Sequence, residues 1–140
     1  MSDTTNPCVA LREMLIASST VRNLVDDRIR PDALDEDDTR PSIRYELIAT
    51  ERLRNLDGTA PMQRSRIQVD SYATVWDDCY DIAAAAIGVL DGYRGAASGL
   101  FFHDVAIENE YDGKDIPPPG SSQWRHRRTF DAVIVHSVSS

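Results

Sequence analysis

Residues 64–95 read RSRIQVDSYATVWDDCYDIAAAAIGVLDGYRG, and this stretch decides the fold. Ile67, Val69, Ser71 and Ala73 alternate with Arg66, Gln68, Asp70 and Tyr72, the two-residue period of a strand with one polar face. Thr74 stands three residues before Asp77, which resembles a capping-box helix start. Trp76, Tyr80, Ala83, Ala84 and Ile87 then recur at helical spacing, so the sequence predicts a helix that turns this stripe to the core. Gly92, after Asp91, can take the left-handed conformation that closes a helix. A half-polar strand joined to a half-apolar helix is one piece of a two-layer unit. It needs further strands beside it.

The flanking sequence supplies them. Asn6-Pro7 is a good helix start, and Leu11, Met14 and Leu15 give that helix a buried stripe. Ser18-Ser19-Thr20 breaks it, and Val21, Leu24 and Val25 add a further helical turn or two. The segment between Pro31 and Pro41 is acidic, and no strand is expected there. Residues 42–52 alternate as a strand, with Ile43, Tyr45, Leu47 and Ala49 on one face. Leu56-Asp57-Gly58 marks a turn, pairing this strand with the next in an antiparallel hairpin. After the central helix, Gly92, Gly95 and Gly99 suggest a loose connection. Phe101, His103, Val105, Ile107 and Tyr111 alternate along a third strand, and 112–123 form a polar loop stiffened by Pro117-Pro118-Pro119. Residues 124–136 form a fourth strand, apolar on both faces at Ala132–Val135. The expected fold is α+β: a two-layer, mainly antiparallel four-stranded sheet packed by a central helix, in the order α-β-β-α-β-β. A single domain spans residues 1–140, with 1–5 a short polar tail.

Composition narrows function. A net charge of −8 argues against a general binder of nucleic acid or anionic membrane. Cys8 and Cys79 match no metal spacing and read as two buried free thiols in a reducing compartment. No apolar run is long enough to span a bilayer, and the N-terminus lacks a signal-peptide pattern, so a soluble protein made inside a cell is expected.

The catalytic signals are thin. His103, His126 and His136 form no metal-ligand spacing, no Cys–His pairing and no carboxylate cluster, so no metal, cofactor or catalytic residue is assigned. Asp32, Asp35, Glu36, Asp37 and Asp38 lack the central glycine and the final glutamate of a calcium loop. Gly92-Tyr93-Arg94-Gly95 follows a helix, where a phosphate loop would follow a strand. Arg125-His126-Arg127-Arg128 is the one basic run; on a strand it splits between two faces, which suits charge pairing with the acidic surface or a neighbouring subunit.

Several stretches together resemble the tail-completion, or tail-terminator, proteins of long-tailed phages and related gene-transfer particles. They are VDDRIRP at 25–31, PSIRY at 41–45, LDG at 56–58, RIQVDSYA at 66–73, LDGYRG at 90–95, and RRTFD at 127–131 with His136 shortly after. In that order, with similar gaps, they extend over most of the chain, from about Val21 to His136. Ser42 stands where the family often has an aromatic, and the Pro117–Pro119 loop is longer and stiffer than usual. The resemblance implies a virion protein at the head-proximal end of the tail, assembled in the host cytoplasm. It implies a ring, usually a hexamer, that caps the tail-tube protein, stops its elongation and offers a face to the head-completion or connector protein. DNA would pass through without specific binding. Arg66, Asp70, Arg125, Arg127 and Arg128 are then candidates for subunit or partner contacts. Asp32, Asp35, Glu36, Asp37 and Asp38 are candidates for the channel wall. Two alternatives stay open: another head–tail connector or tail-tube adaptor, and a small hydrolase, disfavoured by the missing catalytic constellation.

Overall fold

The computed structural model describes residues 6–31, 40–53, 62–115 and 125–138. Asn6 caps α1 (Pro7–Ala17), its side-chain oxygen accepting from the Cys8 N–H at 2.9 Å. Ser18 ends that helix and caps α2 (Ser19–Val25), its Oγ accepting from the Val21 N–H at 3.3 Å. Then follow β1 (Ile29–Arg30), β2 (Ser42–Leu53), β3 (Met62–Ala73), α3 (Trp76–Leu90), β4 (Gly95–Ala97), β5 (Leu100–Asp115) and β6 (Arg125–Val138). The strands form one sheet in the order β1-β2-β3-β6-β5-β4. β1 runs parallel to β2, and every other pairing is antiparallel.

The α+β class holds, but the four-stranded antiparallel sheet is corrected to six mixed strands with three helices. Both added strands are stubs. β1 lies just before the acidic segment and was not anticipated; it forms because Ile29, fully buried, is held against β2: the Ile43 N–H donates to the Arg28 carbonyl, and Arg28 Nε donates to the Pro41 carbonyl at 2.7 Å. β4 replaces the expected loose connection because Ser98 and Gly99, both at positive φ, make a two-residue hairpin into β5.

Among the described residues the helices cover one face of the sheet only. Ile67 and Val69 of β3, Phe130, Ala132 and Ile134 of β6, and Leu100, Phe102 and Val105 of β5 are buried there against Cys79, Ile82, Ala83, Ala86 and Leu90 of α3. That stripe departs from the expected one. Trp76 and Tyr80 are 41% and 44% exposed, so α3 is rotated relative to the sequence reading. Its N-cap is Val75, with no side-chain cap, so the start proposed at Thr74 is not used. The ambiguity is physical: an alanine-rich helix is apolar over more than half its girdle, and the bulkiest residues need not be the innermost. Gly92 does adopt φ +74° and ends α3 as expected.

Two bulges shape β5. His103 is the extra residue between Phe102 and Asp104, which puts Phe102 rather than Phe101 into the core. A second irregularity, between Glu108 and Tyr111, centres on Asn109 at φ 56° and turns Glu110 and Asp112 toward the helix side. β6 is apolar at Ala132–Val135, but no helix covers its second face. Val133 is instead flanked by Arg66, directly opposite on β3, whose guanidinium reaches Asp131 and Glu108.

Candidate assembly surfaces

The bare face of the sheet carries interlocked charges. Asp70 is 1% exposed, and its carboxylate accepts from Arg44 at 2.9 Å and from the Thr129 hydroxyl at 2.7 Å. Arg66 donates to Asp131 at 2.8 Å and to Glu108 at 2.9 Å, and these bonds push its pKa further up. Arg64 pairs with Glu51 at 2.8 Å. Arg125 stacks on the Tyr72 ring, 5.5 Å from its centre. Arg127 lies against Gly113, where a side-chain carbon would come within 2.6 Å of the guanidinium.

Arg128 points the other way, toward α3. Its guanidinium sits 4.9 Å from the centre of the Tyr80 ring and donates to Asp112 at 2.7 Å and Glu110 at 3.2 Å. Hydrogen bonding to Asp112 is the chief cause of its raised pKa. The basic run therefore splits between two faces, as its strand setting predicts. Arg66, Asp70 and Arg128 all hold intrachain partners. Asp32, Asp35, Glu36, Asp37 and Asp38 lie outside the described residues, as do the tip of the first hairpin and the Pro117–Pro119 loop.

Around Arg128 is a surface that sequence reasoning assigned to the core. Trp76 and Tyr80 stand with ring centres 5.3 Å apart on the solvent side of α3. Below them Ala84, Ile87 and Gly88 form the floor of a recess of about 290 Å³ walled by Glu110 and Arg128. A second recess of about 360 Å³ lies between Trp76, His126 and residues 112–114. The signal was present as the four-residue spacing Trp76-Tyr80-Ala84-Gly88, a second face on the same helix.

Two further sites read as structural. Ser65 Oγ and His136 Nε2 are 2.8 Å apart, a spacing that suits a nucleophile and its base. Both are buried to within 2% of full coverage, and the Thr50 hydroxyl, 3.3 Å from Ser65, extends the chain of contacts. Burial, and secondarily the charge of His103, holds the His136 pKa below its ordinary value. A neutral, dry pair of this kind ties β3 to β6 and presents nothing to a substrate. Cys79, fully buried, donates its thiol to the Ser71 carbonyl at 3.2 Å, and desolvation first, then the Asp112 charge, pushes its pKa up to about 12. Cys8 is half-buried rather than buried, with burial alone raising its pKa. Among the described residues, no group of three or more His, Cys, Asp or Glu side chains is placed to hold a metal ion, and no helix is long and apolar enough to cross a membrane.

Comparison with known proteins agrees with this geometry. A family model described as tail completion protein gp17 matches residues 9–118. Among solved structures, a chain from the virion of a native gene transfer agent particle has a similar fold. The TM-score is 0.65 at 13% identity, over 93% of this chain and 94% of that one. No curated protein matches by sequence.

Proposed function

This chain belongs to the family of tail completion protein gp17, a family of structural tail proteins, and from that premise we propose that it is a tail terminator. On this reading copies of the chain close into a ring, a hexamer by family resemblance. The ring caps the last tail-tube subunits, stops their elongation and gives the head-completion or connector protein a surface to join. The observation that carries the reading is the family match over residues 9–118. The fold is shared with a chain of a virion particle, and the head-proximal end of the tail is the place the family resemblance implies.

The two-sided architecture suits the role. A ring built from identical copies uses two different patches on each subunit, one meeting the other on the neighbour. Here one patch is the open edge of the sheet at β2, and the other is the β5 edge with the aromatic recess beside α3. Arg66, Asp70, Arg125, Arg127 and Arg128 enter those contacts as residues already engaged within the chain, so they shape the interface more than they bind it. The exposed ion pairs among these contribute only about 0–1 kcal/mol each, whereas Asp70 is buried and its pair with Arg44 is structural. The acidic run Asp32, Asp35, Glu36, Asp37 and Asp38 is assigned to the channel or its rim, where like charge keeps DNA moving. No catalytic step is assigned.

Two measurements test the reading. The purified chain should have the solution mass of a closed ring. Particles lacking it should carry unjoined heads and tails whose tubes overrun their normal length. Tails of uniform, normal length in its absence would rule out termination.

A further inference from the structure

Both edges of the sheet are only part-covered among the described residues. β1 pairs with β2 at Ile43 and Arg44 alone, and β4 pairs with β5 at residues 100–102 alone. Among the described residues, 46–53 of β2 and 103–115 of β5 therefore present a backbone edge without a strand partner. Leu47 and Ile48 on β2 are 44% and 47% exposed, an apolar pair on an edge that otherwise carries Glu46, Glu51 and Arg52. The β5 edge runs beside the recess lined by Trp76, Tyr80, Ala84 and Gly88.

We infer that the open edge of β2 in one copy pairs antiparallel with the open edge of β5 in the next, seating Leu47 against the Trp76–Tyr80 recess. The inference rests on the ring reading above and names its subunit contact. Strand direction allows it: β2 and β5 run oppositely within the sheet, so β2 of the next copy meets β5 antiparallel. Side-chain parity favours it too. Leu47 is opposite Ile67 and Arg52 opposite Gln63, both on the helix side of the sheet, the side where Trp76, Tyr80, Glu110 and Asp112 stand. Arg52 has no ion-pair partner among the described residues, and the acids Glu110 and Asp112 line the two recesses beside Arg128 and Lys114. The partner edge brings an aliphatic anchor and a cation to an aromatic groove that holds two carboxylates.

Register across the sheet relates the two open edges. Leu47 stands level with Ile107 through Ile67 and Ala132, and Arg44 stands level with Tyr111 through Asp70 and Thr129. The stubs fit the same arrangement. β1 occupies the edge of β2 just beyond one end of the joined segment, and β4 occupies the edge of β5 just beyond the other, so each acts as a register stop. Joined in this way, the sheets close into one wall with helices outside and the ion-paired face inside.

The test uses the full chain and two variants that damage opposite sides of one contact. Leu47→Asp spoils the β2 edge and leaves the recess intact. Gly88→Trp plugs the recess; a side-chain carbon there meets nothing within 4 Å, so the fold tolerates it. Circular dichroism and melting confirm that each variant is folded. By analytical ultracentrifugation the wild-type chain should sediment as a ring and each variant alone as a monomer. An equimolar mixture should give a heterodimer and nothing larger, because only one sound edge–recess pair can then form. Rings that persist in both variants, or a mixture that stays monomeric, would overturn the edge contact while the ring reading stands. A wild-type chain that stays monomeric would overturn both.

Discussion

Phe130→Ala and Trp76→Ala, made in parallel, measure which aromatic side chains hold this fold together. Phe130 is fully buried on β6, opposite Val69 of β3 and within the core that α3 covers. Removing a phenyl ring deletes roughly 200 Å² of buried apolar surface, about 5 kcal/mol at 25 cal/mol per Å². That agrees with the ~3–5 kcal/mol typical of buried aromatic truncations that leave a cavity. Trp76 is 41% exposed at the first turn of α3, and its contacts include the Tyr80 ring 5.3 Å away. Its truncation leaves an open notch rather than a cavity, and should cost about 1–2 kcal/mol on the same area scale. Urea unfolding followed by far-ultraviolet circular dichroism gives both values, with the slope checked for constancy. The Phe130 variant should lose at least twice as much stability as the Trp76 variant. Equal losses would mean that α3 is rotated as the sequence alone suggested, and the account of an exposed aromatic recess would fail.

Three other outcomes follow from single sites. Asp70→Ala should destabilise by about 3–5 kcal/mol, because it strands the Arg44 guanidinium and Thr129 hydroxyl on a nearly dry carboxylate site; the double variant with Arg44→Met should recover part of this in chemical denaturation. Gly88→Ala should stabilise by about 0.5–1 kcal/mol, since the helix loses its glycine and the added carbon meets nothing within 4 Å; a lower melting temperature would contradict the open recess. Cys79 should resist alkylation in the folded state at neutral pH. With a folded pKa of about 12 against an ordinary 9.0, its contribution is fully present below pH 9 and lost as pH rises through 12, because the unfolded thiol ionises first; stability measured across that window should fall more steeply than in Cys79→Ala.

The legible parts of this fold are those where one local rule acts alone. Asn6-Pro7 and Ser18 set helix starts that no tertiary contact overrides, and Ile67, Val69, Ser71 and Ala73 alternate cleanly because β3 is central and covered on one face. The rotation of α3 was not legible, because Cys79-Ile82-Ala83-Ala86-Leu90 and Trp76-Tyr80-Ala84-Ile87 are both apolar stripes on one helix, and the choice between them is made by the sheet beneath. Phe101 and Phe102 were misassigned for a related reason: the bulge at His103 switches faces, and a strict two-residue count cannot see it. β1 and β4 are too short to show periodicity, although Ser98-Gly99 marks the turn that makes β4. The Arg128 surface needed residues 80, 110, 112 and 128 brought together from three elements, and nothing in their separate spacings announces it.

The paired arginines of the bare face have a consequence for polyelectrolytes. DNA gains most of its non-specific affinity for proteins by shedding condensed counterions onto lysine and arginine side chains. On this face Arg44, Arg64 and Arg66 already hold Asp70, Glu51, Asp131 and Glu108 at 2.8–2.9 Å. A passing phosphate would have to evict a carboxylate to reach a guanidinium, trading one anion for another and leaving the evicted charge beside the strand. The entropy that drives adhesion elsewhere has no source here. With this face turned to the channel, as proposed, the wall would be rich in cations and still non-stick, and retention of DNA on the assembled ring should vary little with ionic strength.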